Sequence, residues 1–150
     1  MELKNAVAVV TGANRGLGRH LAAQLVERGA KVYATARRPE TVDLPGVVPL
    51  QLDVTDEESV RAAARTASDA TLLVNNAGIL TDTPLVAGGL DAVRLEMETN
   101  FFGPLAVTRA FAPSSRATAA APCSTSCRSC PGCTRPASGP TPRRRPRPGP

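Results

Sequence analysis

The sequence predicts an α/β fold, a doubly wound parallel sheet whose encoded strands are ordered 3-2-1-4, over residues 1–113. Three observations carry this expectation. Short, wholly apolar runs alternate with stretches of helical period, the pattern of strands buried on both faces by crossover helices. The first apolar run passes straight into a glycine-rich loop and then a helix. From Ser114 onward the composition changes so sharply that no packed element is expected there.

Taken in order, Ala6-Val7-Ala8-Val9-Val10 reads as the first strand. Leu17, Leu21 and Leu25 then recur at a period of four, giving a first helix that Gly29 closes. Lys31 to Ala36 makes a second strand and Val47 to Leu52 a third. A helix from about Asp56 to Ala67 follows, with Thr55 as its expected cap and Asp56, Glu57 and Glu58 suited to its positive end. Thr71 to Val74 is the fourth strand. A longer helix, about Leu90 to Ala110, carries Leu90, Val93, Met97, Phe101, Leu105 and Val107. Tyr33 is expected in the core and His20 at the surface.

The loop Thr11-Gly12-Ala13-Asn14-Arg15-Gly16-Leu17-Gly18 sits between strand and helix, the context in which glycines make a phosphate cradle. Gly12 permits a tight turn. Gly16 and Gly18 remove side chains where a pyrophosphate and the neighbouring strand come close. Amides at the helix start, aided by the dipole, favour an anion there.

The glycines run G-x-x-x-G-x-G, and three further motifs follow in order. They are Asp53-Val54 after the third strand, Asn75-Asn76-Ala77-Gly78 after the fourth, and Asn100 in the long helix. In these four features residues 5–113 resemble the short-chain dehydrogenase/reductase family, whose fold is Rossmann-like. The resemblance implies an oxidoreductase that moves hydride between a nicotinamide cofactor and a small carbonyl or alcohol, most often as a homo-oligomer. It assigns Gly12, Asn14, Arg15, Gly16, Leu17 and Gly18 to the cofactor's phosphates, and Asp53 and Val54 to its adenine. Asn76, Ala77 and Gly78 complete the cofactor site, and Asn100 is the implied catalytic asparagine.

No acid ends the second strand, which reads Ala34-Thr35-Ala36-Arg37-Arg38. An acid there would bind a ribose 2′-hydroxyl, whereas Arg15 and Arg37 suit a 2′-phosphate. In the resembling family, basic residues at these two places accompany NADP, so NADP(H) is expected over NAD(H). That chemistry also needs a serine and a Tyr-x-x-x-Lys pair to handle the proton. The chain has one tyrosine, Tyr33, and two lysines, Lys4 and Lys31, none in that pattern. Of the family's catalytic groups only Asn100 is present, so the chain as written is expected to be catalytically incomplete.

Residues 114–150 hold seven arginines, eight prolines and no acid, lysine, Val, Ile, Leu, Met, Phe, Tyr or Trp. They are expected to be a disordered tail. Cys123, Cys127, Cys130 and Cys133 follow C-x3-C-x2-C-x2-C, superficially an iron–sulfur spacing. The genetic code offers another source. Cysteine codons, and serine codons of the TC type, begin with T. Read one nucleotide earlier, that T becomes the middle base, and every codon with T in the middle encodes an apolar residue. Cys123, Ser124, Ser126, Cys127, Ser129 and Cys130 then all become apolar, the pattern of a buried strand. In the same frame TPRRR, residues 141–145, can read as tyrosine, three residues, then lysine, and a serine overlaps the Arg128 codon, 13 positions before that tyrosine. The tail is therefore expected to be an out-of-frame translation.

Two other functions remain open at this level: a dinucleotide-binding half-domain without turnover, and a tail that binds metal or nucleic acid. The basic end lacks aromatic residues for stacking, so no specific nucleic-acid partner is expected. No run of about 18 apolar residues suggests a membrane span. The cysteine-free first 113 residues fit a cytoplasmic setting.

Overall fold

Four short segments rich in Val, Ala and Leu supply the sheet: β1 (Val7–Val10), β2 (Lys31–Ala36), β3 (Val47–Gln51) and β4 (Leu72–Val74). In the computed structural model, which describes residues 3–84, 86 and 88–117, these strands are all parallel and ordered β3-β2-β1-β4. Val9 pairs with Tyr33 on one side and Leu73 on the other. Alternation along the strands then feeds two cores. Val9 and Tyr33 join Val60, Ala63, Val107 and Phe111 on one face. Ala8, Val10, Val32 and Ala34 join Ala22 and Leu25 on the other. Apolar residues at every position of β1 are thus explained: both faces are covered. Each buried valine contributes about 1.5 kcal/mol or more.

The two sheet edges differ. β3 carries Pro49, which lacks a backbone donor and is tolerated at an edge, while Val48 stays exposed. Among the described residues β4 pairs only with β1, and Leu72, Leu73 and Val74 are each only half-buried. Among the described residues β4 is thus an apolar edge.

Helix α1 (Gly16–Glu27) ends as its glycine predicts. Gly29, at φ +82°, donates to Val26 O at 2.8 Å, and Ala30 donates to Leu25 O at 3.0 Å. This pair of bonds satisfies the last carbonyls through a left-handed residue. The apolar seam differs from expectation. Leu17 is 68% exposed, and the buried positions are Gly18, Ala22 and Leu25. A glycine lies against the loop, so the helix sits closer to the sheet than a leucine seam would allow.

Helix α2 (Glu57–Thr66) is capped by Asp56, whose carboxylate accepts from the Glu58 amide at 3.0 Å. The expected cap, Thr55, is instead turned to Asp53. Arg61 bonds Glu57, and Arg65 reaches Glu58 at 3.0 Å, both on the exposed face. Such pairs add a few tenths of a kcal/mol each, about 0.3–0.5.

The long helix is not uniform. It comprises α3 (Leu90–Met97), one π-helical turn over Glu98–Phe102, and α4 (Gly103–Ala117). The wider turn rotates the chain so that Thr99, Gly103, Val107 and Phe111 face the core. Of the apolar residues named on this helix, Leu90, Met97, Phe101 and Leu105 are exposed. Val107 is buried as expected. α4 runs to Ala117, past residue 113 where the composition changes. The first four residues of the expected disordered tail are thus helical, and the four cysteines and the rest of that tail, 118–150, lie outside the described residues.

Near the amino end of β2, Lys31 Nζ donates to Asp69 Oδ2 at 2.8 Å and to the Tyr33 hydroxyl at 2.8 Å. That hydroxyl donates to Asp69 Oδ1 at 3.0 Å, giving the buried Tyr33 ring a satisfied polar tip. The Lys31 hydrogen bond holds the Asp69 carboxyl below its ordinary range, and Asp69 in turn raises the Lys31 ammonium. The lowered carboxyl contributes stability above about pH 3.9 that is lost as acid protonates it. The raised ammonium contributes below about pH 10.4 and is lost as base removes its proton. Asp69→Asn is expected to lower the melting temperature by a few degrees at pH 7, the pair being half-exposed. Thermal scans should show that gap narrowing as the pH falls below about 3.9 and the parent's own carboxyl takes up its proton.

Candidate functional site

The site lies where the strands end. Ala36, Leu52 and the loop after β1 open onto a cleft of ≈ 540 Å³ at the carboxyl end of the sheet. A parallel sheet places its ligand crevice at this end. Gly12, Asn14, Arg15 and Gly16 form one wall. Arg37 stands beyond β2, Asp53 and Val54 beyond β3, and Asn76, Ala77 and Gly78 beyond β4.

Thr11 and Asn76 stitch the two principal motifs together. The buried Thr11 hydroxyl accepts from the amides of Asn76 and Ala77 at 2.8 and 2.9 Å. Asn76 Nδ2 returns to Thr11 O at 2.9 Å and Gly12 O at 3.3 Å. Ala13 donates to Thr35 O at 2.8 Å, tying the same loop to β2. The five-residue loop between β1 and α1 is therefore fixed from both neighbouring strands before any ligand arrives.

The glycines fit a bound pyrophosphate. Gly16 adopts φ +55°, and no protein atom outside its immediate neighbours lies within 4 Å of where its Cβ would stand. Gly12, at φ +66°, packs its missing Cβ against Ala77 Cα at 3.0 Å. Arg15 caps α1 in backbone conformation only, with no side-chain bond, which leaves the first-turn amides available to an anion. Leu17 and Gly18 stand beside the cleft rather than in its lining. Leu17 can offer its first-turn amide, and Gly18 lets the helix meet Asn76 and Gly12.

Charge is distributed unevenly around the cleft. Arg15, Arg37 and Arg38 line it, are exposed, and form no ion pair among the described residues. Asp53 lies across from them, its carboxylate accepting from the Thr55 amide at 3.0 Å and hydroxyl at 2.7 Å. The sequence reading missed Arg38, Thr41, Ile79, Leu95 and Thr99 as lining. Arg38 is the one with a sequence signal, since it directly follows Arg37.

Asn100 lies in the π-helical turn and reaches the site through Ile79. Its Oδ1 accepts from the Ile79 amide at 2.9 Å, and its Nδ2 donates to Ile79 O at 2.8 Å. One helical turn earlier, Glu96 accepts from the Thr81 amide at 2.6 Å and hydroxyl at 2.7 Å. The Thr81 hydroxyl, then its amide, holds the Glu96 carboxyl below its ordinary range. Asn75 turns away to Thr108 Oγ1 at 3.0 Å. Among the described residues no cluster of His, Cys, Asp or Glu could hold a metal ion, and no helix is long and apolar enough to cross a membrane.

The family model for short chain dehydrogenases matches residues 6–121, ending just before the first cysteine. A solved short chain dehydrogenase from Burkholderia cenocepacia, in complex with NADP, is 46% identical with a TM-score of 0.75. It covers 78% of this chain and 51% of that one. A 3-ketoacyl-(acyl-carrier-protein) reductase from Brucella melitensis, complexed with NADH, is 27% identical with a TM-score of 0.70, covering 75% and 51%. Among curated proteins, the NADPH-dependent 1-acyldihydroxyacetone phosphate reductase of Schizosaccharomyces pombe is 34% identical over 119 residues, 74% of this chain and 40% of that protein. The chain spans less than half the length of the curated relatives it matches.

Proposed function

The chain belongs to the short-chain dehydrogenase family, and on that premise we propose that its cleft takes NADP(H) in preference to NAD(H). The substrate class is a small carbonyl or alcohol, and the chemistry is the reversible hydride transfer that the nicotinamide supplies when bound. The observation that carries the cofactor preference is the set of three unpaired arginines, Arg15, Arg37 and Arg38, at the cleft with no acid ending β2. A 2′-phosphate there would gain charge-assisted bonds that a 2′-hydroxyl cannot. Relatives point both ways, one solved with NADP and one with NADH.

The chain's own residues divide the work of binding. Gly12, Asn14, Gly16, Leu17 and Gly18 form the diphosphate cradle, Asp53 and Val54 face the adenine, and Asn76, Ala77 and Gly78 floor the cleft. Asn100 keeps Ile79 in place beside that floor, its implied catalytic role being exercised only with a proton donor nearby.

These 150 residues hold no Tyr-x-x-x-Lys pair to act as that donor, so the part of the hydride-transfer function they carry is dinucleotide binding. Tyr33 and Lys31 do meet, at 2.8 Å, but near the amino end of β2, opposite the cleft, and both are engaged by Asp69. Titration with NADPH and NADH, following nucleotide fluorescence, tests this reading. Saturable binding with NADPH tighter by about tenfold or more is expected. Equal affinities would remove the preference, and no saturable signal with either would remove the dinucleotide site.

A further inference from the structure

The turn that follows β2 is fastened to the glycine-rich loop through Thr41, a side chain that the cofactor reading leaves without a task. Asn14 Nδ2 donates to Thr41 Oγ1 at 3.2 Å. The same Thr41 oxygen donates to Arg38 O at 2.6 Å, and the Thr41 amide reaches that carbonyl at 3.1 Å. These bonds close the 3-10 turn Pro39–Thr41. From α1, Arg19 Nε and Nη2 both donate to Asp43 O, at 3.3 and 2.9 Å. The segment carrying Arg37 and Arg38 is thus held at two points against the element carrying Arg15.

We propose that the Thr41 hydroxyl is a specificity-determining positioning residue, registering Arg37 and Arg38 against Arg15 so that the cleft discriminates a 2′-phosphate from a 2′-hydroxyl. The proposal rests on the NADP(H) reading and adds to it the residue through which the preference acts. One oxygen accepts from the loop and donates to the turn, so its loss uncouples the two. Three exposed cations lining one cleft repel each other; β1–β2 pairing and the Ala13–Thr35 backbone bond hold the strand ends, and past β2 the described side-chain ties across to the loop and α1 are this one and that of Arg19. Arginine side chains also carry much rotamer freedom, which a fixed backbone anchor reduces before binding.

The effect is selective by construction. The diphosphate and adenine meet the glycine loop and Asp53, which both nucleotides use alike. Only the 2′-phosphate calls on the arginine pair that Thr41 places.

Thr41→Val and Thr41→Ser, in the full 150-residue chain, are titrated with NADPH and with NADH. The valine variant is expected to bind NADPH about five- to tenfold more weakly, the scale of one or two lost bonds, and NADH within about twofold of the parent. The serine variant, which keeps the hydroxyl, should keep the parent's ratio. Thr41→Ala carries the same expectation as valine and replaces it if the valine variant does not fold. A hydroxyl-free variant with the parent's NADPH/NADH ratio overturns the proposal, as does a serine variant that behaves like valine. A merely structural role would weaken both nucleotides together. A parent chain that binds neither nucleotide, or both equally, fails differently: it overturns the cofactor reading itself, and this inference with it.

Discussion

Gly18→Ala will abolish saturable NADPH binding and lower the unfolding free energy by about 3 kcal/mol, the upper end of the range for overpacking a close contact. A Cβ at this position would stand 2.4 Å from Gly12 O and 2.4 Å from Asn76 Nδ2. Gly12 O is backbone and cannot step aside without moving the phosphate loop. Asn76 cannot retreat either without releasing its bonds to Thr11 O and Gly12 O. The helix must therefore shift away from β1, carrying the first-turn amides with it. Gly16→Ala separates the two roles of these glycines. Its Cβ meets no neighbouring atom, so its cost is the left-handed backbone alone, about 1–2 kcal/mol. It would still fill space that a diphosphate needs. Chemical denaturation and NADPH titration of both variants should therefore show Gly18→Ala losing more stability while both lose binding. A Gly18→Ala chain that binds as the parent does would mean that the loop and helix do not meet as described.

The sheet was legible because burial on both faces leaves an unambiguous mark. Val7 to Val10 and Lys31 to Ala36 are short and almost wholly apolar, and no amphipathic helix reads that way. The loop was legible because three glycines in one turn have few other uses. What escaped reading depends on contacts between segments distant in sequence. Leu17, Leu21 and Leu25 make a convincing seam, yet Gly18 sets the approach of α1, and that choice is made by Asn76 and Gly12 on other elements. Likewise Met97, Phe101 and Leu105 repeat at four-residue spacing, but the π-helical turn at Glu98–Phe102 gives the core to Thr99, Gly103, Val107 and Phe111. No local rule reports a π-turn. Thr55 and Asp56 are both good caps, and only the pull of Asp53 on Thr55 decides between them. The Asn14–Thr41 tie spans 27 positions and has no periodic signature at all.

Inserting one base ahead of the codon for Ser114 will turn a chain without measurable turnover into an oxidoreductase. Placing a proton donor at the reacting oxygen is worth about 10²- to 10⁴-fold in rate, and the serine and lysine that support it add to that. As written, the chain supplies neither. Its one tyrosine is buried beside Lys31 and Asp69, and its other lysine, Lys4, lies in the turn before β1. If the tail is an out-of-frame translation, the shifted frame would complete the fold and the chemistry together. Its six forced apolar positions between Cys123 and Cys130 have the character of a buried strand, and among the described residues β4 pairs only with β1, with Leu72, Leu73 and Val74 half-covered. Pairing there would remove an aggregation hazard, so the restored chain should also remain monodisperse at concentrations where the parent aggregates. Its tyrosine and lysine codons, overlapping Thr141 and Arg145, keep the three-residue interval that puts both side chains on one helical face. Steady-state oxidation of NADPH against a panel of small ketones and aldehydes reads the outcome. A parent chain that turns over as fast as the restored one would show that the visible tail completes the site. In that case the out-of-phase origin of the cysteines would be untenable.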